Sequence, residues 1–387
     1  MRGTAVTAAL AAAALLLTAG CTSGGGAQPS PEPSGTDRTP PPTSGSSPSA
    51  PPARGTVKVL RTVTDDLNSP WGLAPLPGGD LLVSSRDTGK IFRISGRNGK
   101  KTELGSVPGV SAEGEGGLLG IAVPRDFGTD RMVYAYFTTA SDNRIVRMIY
   151  DGKKPPGDQL GAPDTVFKGI PKGVVHNGGR IAFGPDGMLY AGTGESGDGE
   201  LAQDKSSPGG KILRMTPEGE PVHGNPEADS VVYSYGHRNV QGLAWDSGKQ
   251  LWASEFGQHT WDELNLIRPG GNYGWPEAEG RAGRRGFIDP VEQWRPDEAS
   301  PSGIAFTAGS VWMASLRGER LWRVPLTGEG SRVRPSAPPQ AFLEGRYGRL
   351  RTVVADGPGR LWLVTSETDG RGSPGPGDDR ILLLRVT

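Results

Sequence analysis

The sequence predicts an all-β fold, a six-bladed β-propeller of four-stranded antiparallel blades. Three observations predict it. Glycines mark turns at Gly79, Gly128, Gly187, Gly248, Gly309 and Gly359, spaced 49, 59, 61, 61 and 50 residues apart. Each turn is followed by a short apolar segment, a loop and a second segment in which apolar and charged residues alternate, the period-two pattern of antiparallel strands. No long stretch shows a 3.6-residue period, which disfavours a helical solenoid.

The first segments of the six units are 80–84, 132–136, 188–192, 250–254, 310–314 and 360–364. Their partners are 90–94, 144–148, 211–215, 263–267, 320–324 and 380–384. Repeats of roughly 40–50 residues with four strands are propeller blades. These run slightly longer, leaving room for functional loops. Residues 56–60 precede the first unit and are expected to complete the last blade, removing the open edge a sheet would otherwise expose. A pair of β-sandwiches would not explain six similar units.

The N-terminus reads as an address. Arg2 supplies a positive charge and residues 5–18 form an apolar run, too short to span a bilayer comfortably and suited to a signal-peptide core. The run ends in Leu17-Thr18-Ala19-Gly20-Cys21, which resembles a bacterial lipobox, and Cys21 is the only cysteine. Ordinary secretion with an unmodified cysteine is the alternative. Of residues 22–54, 25 of 33 are Gly, Ser, Thr or Pro, a composition that buries too little apolar area to order itself. The expected organisation is therefore a signal peptide over 1–20, a lipidated cysteine and disordered tether over 21–54, and a propeller over 55–387. A lipid on Cys21 would place the domain outside the cytoplasm, held to the membrane by that anchor alone.

Composition removes several functions. Lys plus Arg equals Asp plus Glu at 42 each, which argues against a nucleic-acid partner. One cysteine excludes a disulfide framework, a zinc finger and an iron–sulfur cluster. Four histidines leave few candidates for base chemistry.

Polar groups crowd beside glycines in four places. They are Val175-His176-Asn177-Gly178-Gly179-Arg180 with Glu195; Gly236-His237-Arg238-Asn239-Val240-Gln241-Gly242; the stretch from Glu255 through Gly257, Gln258 and Glu263 to Gly270-Gly271-Asn272-Tyr273-Gly274-Trp275-Pro276; and Arg317, Arg349 and Arg351. An imidazole titrates near neutrality and suits a general base. Guanidinium groups hold carboxylates through paired, charge-assisted hydrogen bonds.

These segments resemble the soluble aldose sugar dehydrogenases that use pyrroloquinoline quinone, the soluble glucose dehydrogenase family. The resemblance runs from Asn68-Ser69-Pro70-Trp71 through Gly116-Gly117-Leu118-Leu119-Gly120 to the C-terminus. It implies a six-bladed propeller with the cofactor over one mouth of the central channel. It implies that His176 takes the proton of the sugar's anomeric hydroxyl and that Glu195, where the family has Asp, orients it. Arg238, Asn239, Gln241, Arg317, Arg349 and Arg351 match cofactor-contacting positions, Arg317 standing where Lys is usual. Calcium is implied on the carbonyls of Gly257 and Gln258, with a second ion near Glu263 and the Tyr273 carbonyl. Glu115 stands where the family has a neutral amide near the sugar, an exchange expected to alter sugar preference or pH profile. His259, Trp261 and Tyr347 are further candidates for the sugar pocket. Trp252, Trp312, Trp322 and Trp362 are expected to pack between strands. The implied reaction turns an aldose into its lactone and passes electrons to an external acceptor, a membrane quinone or small redox protein, since the chain has no haem motif. Two rival readings are a calcium-dependent propeller lactonase and a binding lipoprotein without turnover. The first leaves the basic cluster unexplained.

Overall fold

A computed structural model describes residues 51–387. Cys21, the signal peptide and the tether as far as residue 50 lie outside the described residues. The expected propeller is present. Six antiparallel sheets follow one another around a ring, five with strands in sequence order and the sixth completed by the N-terminal strand, and the fifth carries one extra short strand. The first blade comprises Pro70–Pro75, Leu81–Ser85, Lys90–Ile94 and Lys101–Ser106. The sixth comprises Leu350–Ala355, Arg360–Thr365, Ile381–Val386 and the N-terminal strand Val57–Thr64. That last pairing runs antiparallel from Val57 opposite Val386 to Thr64 opposite Ile381, so the two ends of the domain close the ring together.

The predicted segments are the second and third strands of each blade. Turn chemistry departs from expectation in two blades. The left-handed residue there is Arg131 (φ 55°) or Lys249 (φ 61°), just after Gly128 or Gly248 rather than at the glycine. Residues 51–54, assigned by composition to the tether, are held on the fifth blade. Arg323 Nη2 donates to the Pro52 carbonyl at 2.7 Å, and Gln340 Nε2 to that of Ala53 at 2.6 Å.

Six apolar clusters fill the gaps between adjacent blades, one per gap. Leu82 and Ile91 meet Val133 and Phe137 between the first two blades, and Trp312 meets Leu361 and Leu382 between the last two. Trp252, Trp312 and Trp362 are buried and Trp322 packs at the fourth–fifth gap, as expected for wedges between sheets.

The innermost strands share a pattern that positions everything else. Trp71-Gly72-Leu73-Ala74, Leu119-Gly120-Ile121-Ala122, Gln241-Gly242-Leu243-Ala244 and Ser302-Gly303-Ile304-Ala305 bring glycine to the same level of the ring. A Cβ on Gly120 would lie 2.1 Å from the Gly179 carbonyl oxygen, and one on Gly242 2.5 Å from that of Ser302. Glycine is what lets neighbouring inner strands approach so closely. In five blades the register with the second strand also shifts here, as at Val240/Gly242 and Leu350/Thr352. Such bulges re-aim side chains at sheet ends. Gln241 and Arg351 lie at two of them.

Candidate active site

Antiparallel blades send two kinds of connection to one end of the ring. One kind joins each outer strand to the next inner strand (107–117, 171–180, 236–239, 343–349). The other joins second to third strands (193–210, 256–261, 316–319, 366–380). The polar clusters of the sequence fall almost entirely on these connections or on the strand residues beside them. Tyr273 arrives on the long 268–291 segment, tied to the third blade by a bridge between Tyr235 and Asn272.

His176 and Glu195 are brought together. Both carboxylate oxygens of Glu195 approach His176 Nδ1, at 2.9 and 3.0 Å, and one also accepts from the Gly197 amide. Glu195 is 3% exposed. An acceptor on Nδ1 keeps the ring proton there and leaves Nε2 as the basic atom. The backbone of His176 is in the left-handed region at φ 56°, a conformation that costs about 1–3 kcal/mol and persists only where its surroundings hold it. Its amide donates to Glu115 Oε2 at 3.0 Å and its carbonyl accepts from Ser196 at 3.1 Å. A Cβ on Gly194 would stand 1.9 Å from that same carbonyl oxygen.

Glu115 is therefore not a free anion. One oxygen holds the His176 backbone and the other meets Arg371 at 2.7 Å, from the long loop of the sixth blade. Arg371 was not read from the sequence.

Arg238 lies beside this pair. Its amide donates to Glu255 Oε2 at 2.9 Å and its guanidinium stands 5.4 Å from the Trp275 ring. Burial pulls its pKa below the usual guanidinium range, while Glu195, Glu279, Glu115 and Asp262 pull the other way. Its Nε is buried without a partner, as are Asn239 Nδ2 and Ser196 Oγ. Buried donors rarely go unpaired; these mark a place for a ligand with acceptors. Asn239 Oδ1 accepts from the Gly178 amide at 2.9 Å, which fixes the amide's orientation.

The basic cluster is organised differently from expectation. Arg349 and Arg351 do converge, but on Asp369, whose Oδ2 lies 2.9 and 3.0 Å from them. Burial raises the Asp369 pKa, yet Arg351 and Arg349 more than offset it and carry it down to about 2. Arg351 Nη1 also reaches Gln241 Oε1 at 3.2 Å, and Ser302 Oγ reaches the same oxygen at 3.2 Å. Gln241 is thus part of the floor. Arg317 is exposed on the 316–319 turn and makes no ion pair or hydrogen bond among the described residues.

The metal candidates lie on the fourth blade. The Gly257 amide donates to Asp262 Oδ1 at 2.9 Å. The four amides from Gln258 to Trp261 all donate to Glu279 Oε1, at 2.6 to 3.2 Å. Neither the Gly257 nor the Gln258 carbonyl accepts a hydrogen bond among the described residues, so both keep lone pairs for a cation. Glu263 is buried, held by the Gly280 amide at 2.7 Å and Asn265 Nδ2 at 2.9 Å. Burial and then the neighbouring Glu255 push its pKa up to about 8. Glu255, Glu263 and Tyr273 line a cavity of about 10 Å³, near the size that admits one water or ion. Among the described residues no three His, Cys, Asp or Glu converge as ligands, so a cation would need carbonyls, as calcium accepts.

His259 is exposed, and Trp261 and Tyr347 are half-buried, all at this end. Sequence reading missed Asp369, Glu279 and Arg371, and named Glu255 without a role. A short acidic residue in a Gly-rich loop carries no sign of which side chains the fold brings to it.

Known proteins resemble this chain along the propeller. The family model described as Glucose / Sorbosone dehydrogenase matches residues 67–383. The chain is 29% identical over 352 residues to the aldose sugar dehydrogenase YliI of Escherichia coli, covering 83% of this chain and 92% of that protein. It is 31% identical over 259 residues to quinoprotein glucose dehydrogenase B of Acinetobacter calcoaceticus, covering 59% of this chain and 54% of that one. Its fold superposes on the PQQ-bound form of an aldose sugar dehydrogenase from Streptomyces coelicolor with a TM-score of 0.86 at 72% identity, over 87% of this chain and all of that one.

Proposed function

The chain belongs to the glucose/sorbosone dehydrogenase family, and from that premise we propose that it oxidises the anomeric hydroxyl of an aldose to the lactone, with His176 as the base. It is an oxidoreductase of the aldose sugar dehydrogenase type, the type for which the Escherichia coli relative and the PQQ-bound neighbour are named.

The observation that most supports the reading is the conjunction of two features. A histidine is locked by a buried carboxylate, and buried, unpartnered donors stand on the adjacent loop. Pyrroloquinoline quinone, when bound, would supply the two-electron acceptor for the hydride of the anomeric carbon. Arg238, Asn239 and the Arg349–Arg351 pair would hold it. Two guanidiniums on one carboxylate leave a net positive charge there for its carboxylates. Calcium on the Gly257 and Gln258 carbonyls would act as a Lewis acid toward a quinone oxygen.

His176 Nε2 removes the hydroxyl proton, and Glu195 steadies the imidazolium that results. Glu115 and Arg371 keep the His176 backbone in its left-handed conformation, so the ring stays aimed. The sugar loses its proton to the protein at one defined atom. Electrons then leave to an external acceptor.

We further propose that Cys21 carries lipid and that the domain works outside the cytoplasm. The Leu17–Cys21 pattern supports this. The testing experiment reconstitutes the purified chain with the quinone and calcium and follows dye reduction by several aldoses. Reduction that needs both additions is expected; none with any aldose would refute the activity.

A further inference from the structure

Arg180 breaks the pattern of the inner strands. It precedes Ile181-Ala182, so it stands at the level where four other blades carry Gly72, Gly120, Gly242 and Gly303; the sixth has Thr352. Its side chain therefore enters the ring axis at a level where four other blades present only backbone. It is 8% exposed. Nε donates to the Gln241 carbonyl at 2.8 Å, and Nη2 to Thr352 Oγ1 at 3.0 Å, across the ring. The Trp71 ring covers one face at 4.3 Å. No carboxylate pairs with Arg180 among the described residues. The nearby Asp369 is already shared by Arg349 and Arg351.

A guanidinium has five N–H donors, and two are used here. Buried charges are ordinarily paired, because desolvating one alone is costly. Burial, and the Arg351 cation, bring the Arg180 pKa down to about 9. It remains a cation at neutral pH without a counter-ion.

On the side of Arg180 away from the candidate active site lies a cavity of about 350 Å³. It is the remaining half of the channel. Below the Arg180 level the six inner strands contribute a ring of Leu73, Ile121, Ile181, Leu243, Ile304 and Val353. A ring of alanines with Val354 follows, then one that includes Phe183, Trp245 and Phe306. Three residues of strand give a bore roughly 10 Å deep. Its last ring is partly exposed, so it is reached from the end of the propeller opposite the sugar site. Arg180 is the one charged residue lining it.

We infer that this half-channel is a second binding site, for an amphipathic monocarboxylate of the medium-chain fatty-acid class, its carboxylate on Arg180 and its alkyl chain along the apolar bore. Apolar side chains around one charged anchor at the closed end, with backbone groups of the inner strands between them, are a form such sites take. A bare anion would leave the walls unused. A neutral chain would leave the guanidinium unpaired. Because the opening is remote from His176, the ligand does not compete with sugar.

The test titrates octanoate, octan-1-ol and acetate into the purified full chain, by calorimetry and thermal unfolding. Octanoate is expected to saturate one site and to raise Tm by about 4 °C at a hundred times its Kd. Octanol and acetate should move it by less than about 1 °C. Arg180→Met, which keeps bulk and removes charge, is expected to abolish the octanoate response. Should that variant not fold, Ala182→Phe, which narrows the bore, is expected to do the same. No saturable heat with octanoate would overturn the proposal. So would an equal response to acetate, marking a bare anion site, or to octanol, marking a bore that does not recognise charge. So would an undiminished octanoate response in either variant.

Discussion

In the proposed reaction, turnover depends on the His176–Glu195 pair. His176→Ala should lower kcat by at least ~100-fold, the usual scale of an acid–base group, while quinone binding measured by calorimetry stays nearly intact. Wild-type-like turnover would remove His176 from the mechanism. Asp369 makes a second prediction. A carboxyl held at about 2 in the folded protein, against an unfolded value near 3.9, contributes stability above the unfolded value. That stability is lost as pH falls from roughly 5 toward 2, and amounts to roughly 2 kcal/mol. Asp369→Asn should flatten this part of the stability–pH curve; an unchanged slope would place the acid sensitivity elsewhere. The two residues also differ in how legible they were. His176 sits in a dense polar motif with two glycines after it. Asp369 lies in a Gly-rich loop, and its role comes from arginines 18 and 20 residues away.

At the scale of elements, the segment 258–261 is fastened by a single acceptor. Glu279 Oε1 takes all four amides from Gln258 to Trp261. These four bonds hold its pKa low despite burial. The loop's carbonyls are the proposed calcium ligands, so Glu279 is a positioning residue. Glu279→Ala should raise the calcium needed for reconstitution by ~10-fold or more, the scale of outer-shell changes at metal sites. An unaltered calcium titration would show the loop stands without it. The second strands were legible as short apolar runs after a glycine turn, and the third because apolar and charged residues alternate there. The inner strands were not. Their Gly-Leu-Ala and Gly-Ile-Ala runs are uniformly small or apolar, as strands buried on both faces must be, and a short run of that kind has no period to read. The outer strands, such as Lys101–Ser106, are half exposed and polar, and periodicity there is equally weak.

For the whole molecule, closure carries stability. The 56–60 segment was legible as a closing strand only because the last blade lacked one. In the structure it lengthens to Val57–Thr64 and pairs along its whole course with Ile381–Val386. Deleting residues 51–64 should therefore expose an open edge and lead to aggregation or loss of cooperative unfolding. A soluble, cooperatively melting product would mean that the other five gaps suffice. The closed ring is also what sets Arg349 and Arg351 of the last blade across from Arg238 of the fourth. The most direct test of the account titrates pyrroloquinoline quinone into the purified chain by calorimetry, with and without calcium. The account predicts saturable binding at one site per chain that tightens when calcium is present. No heat and no saturation under either condition would contradict it.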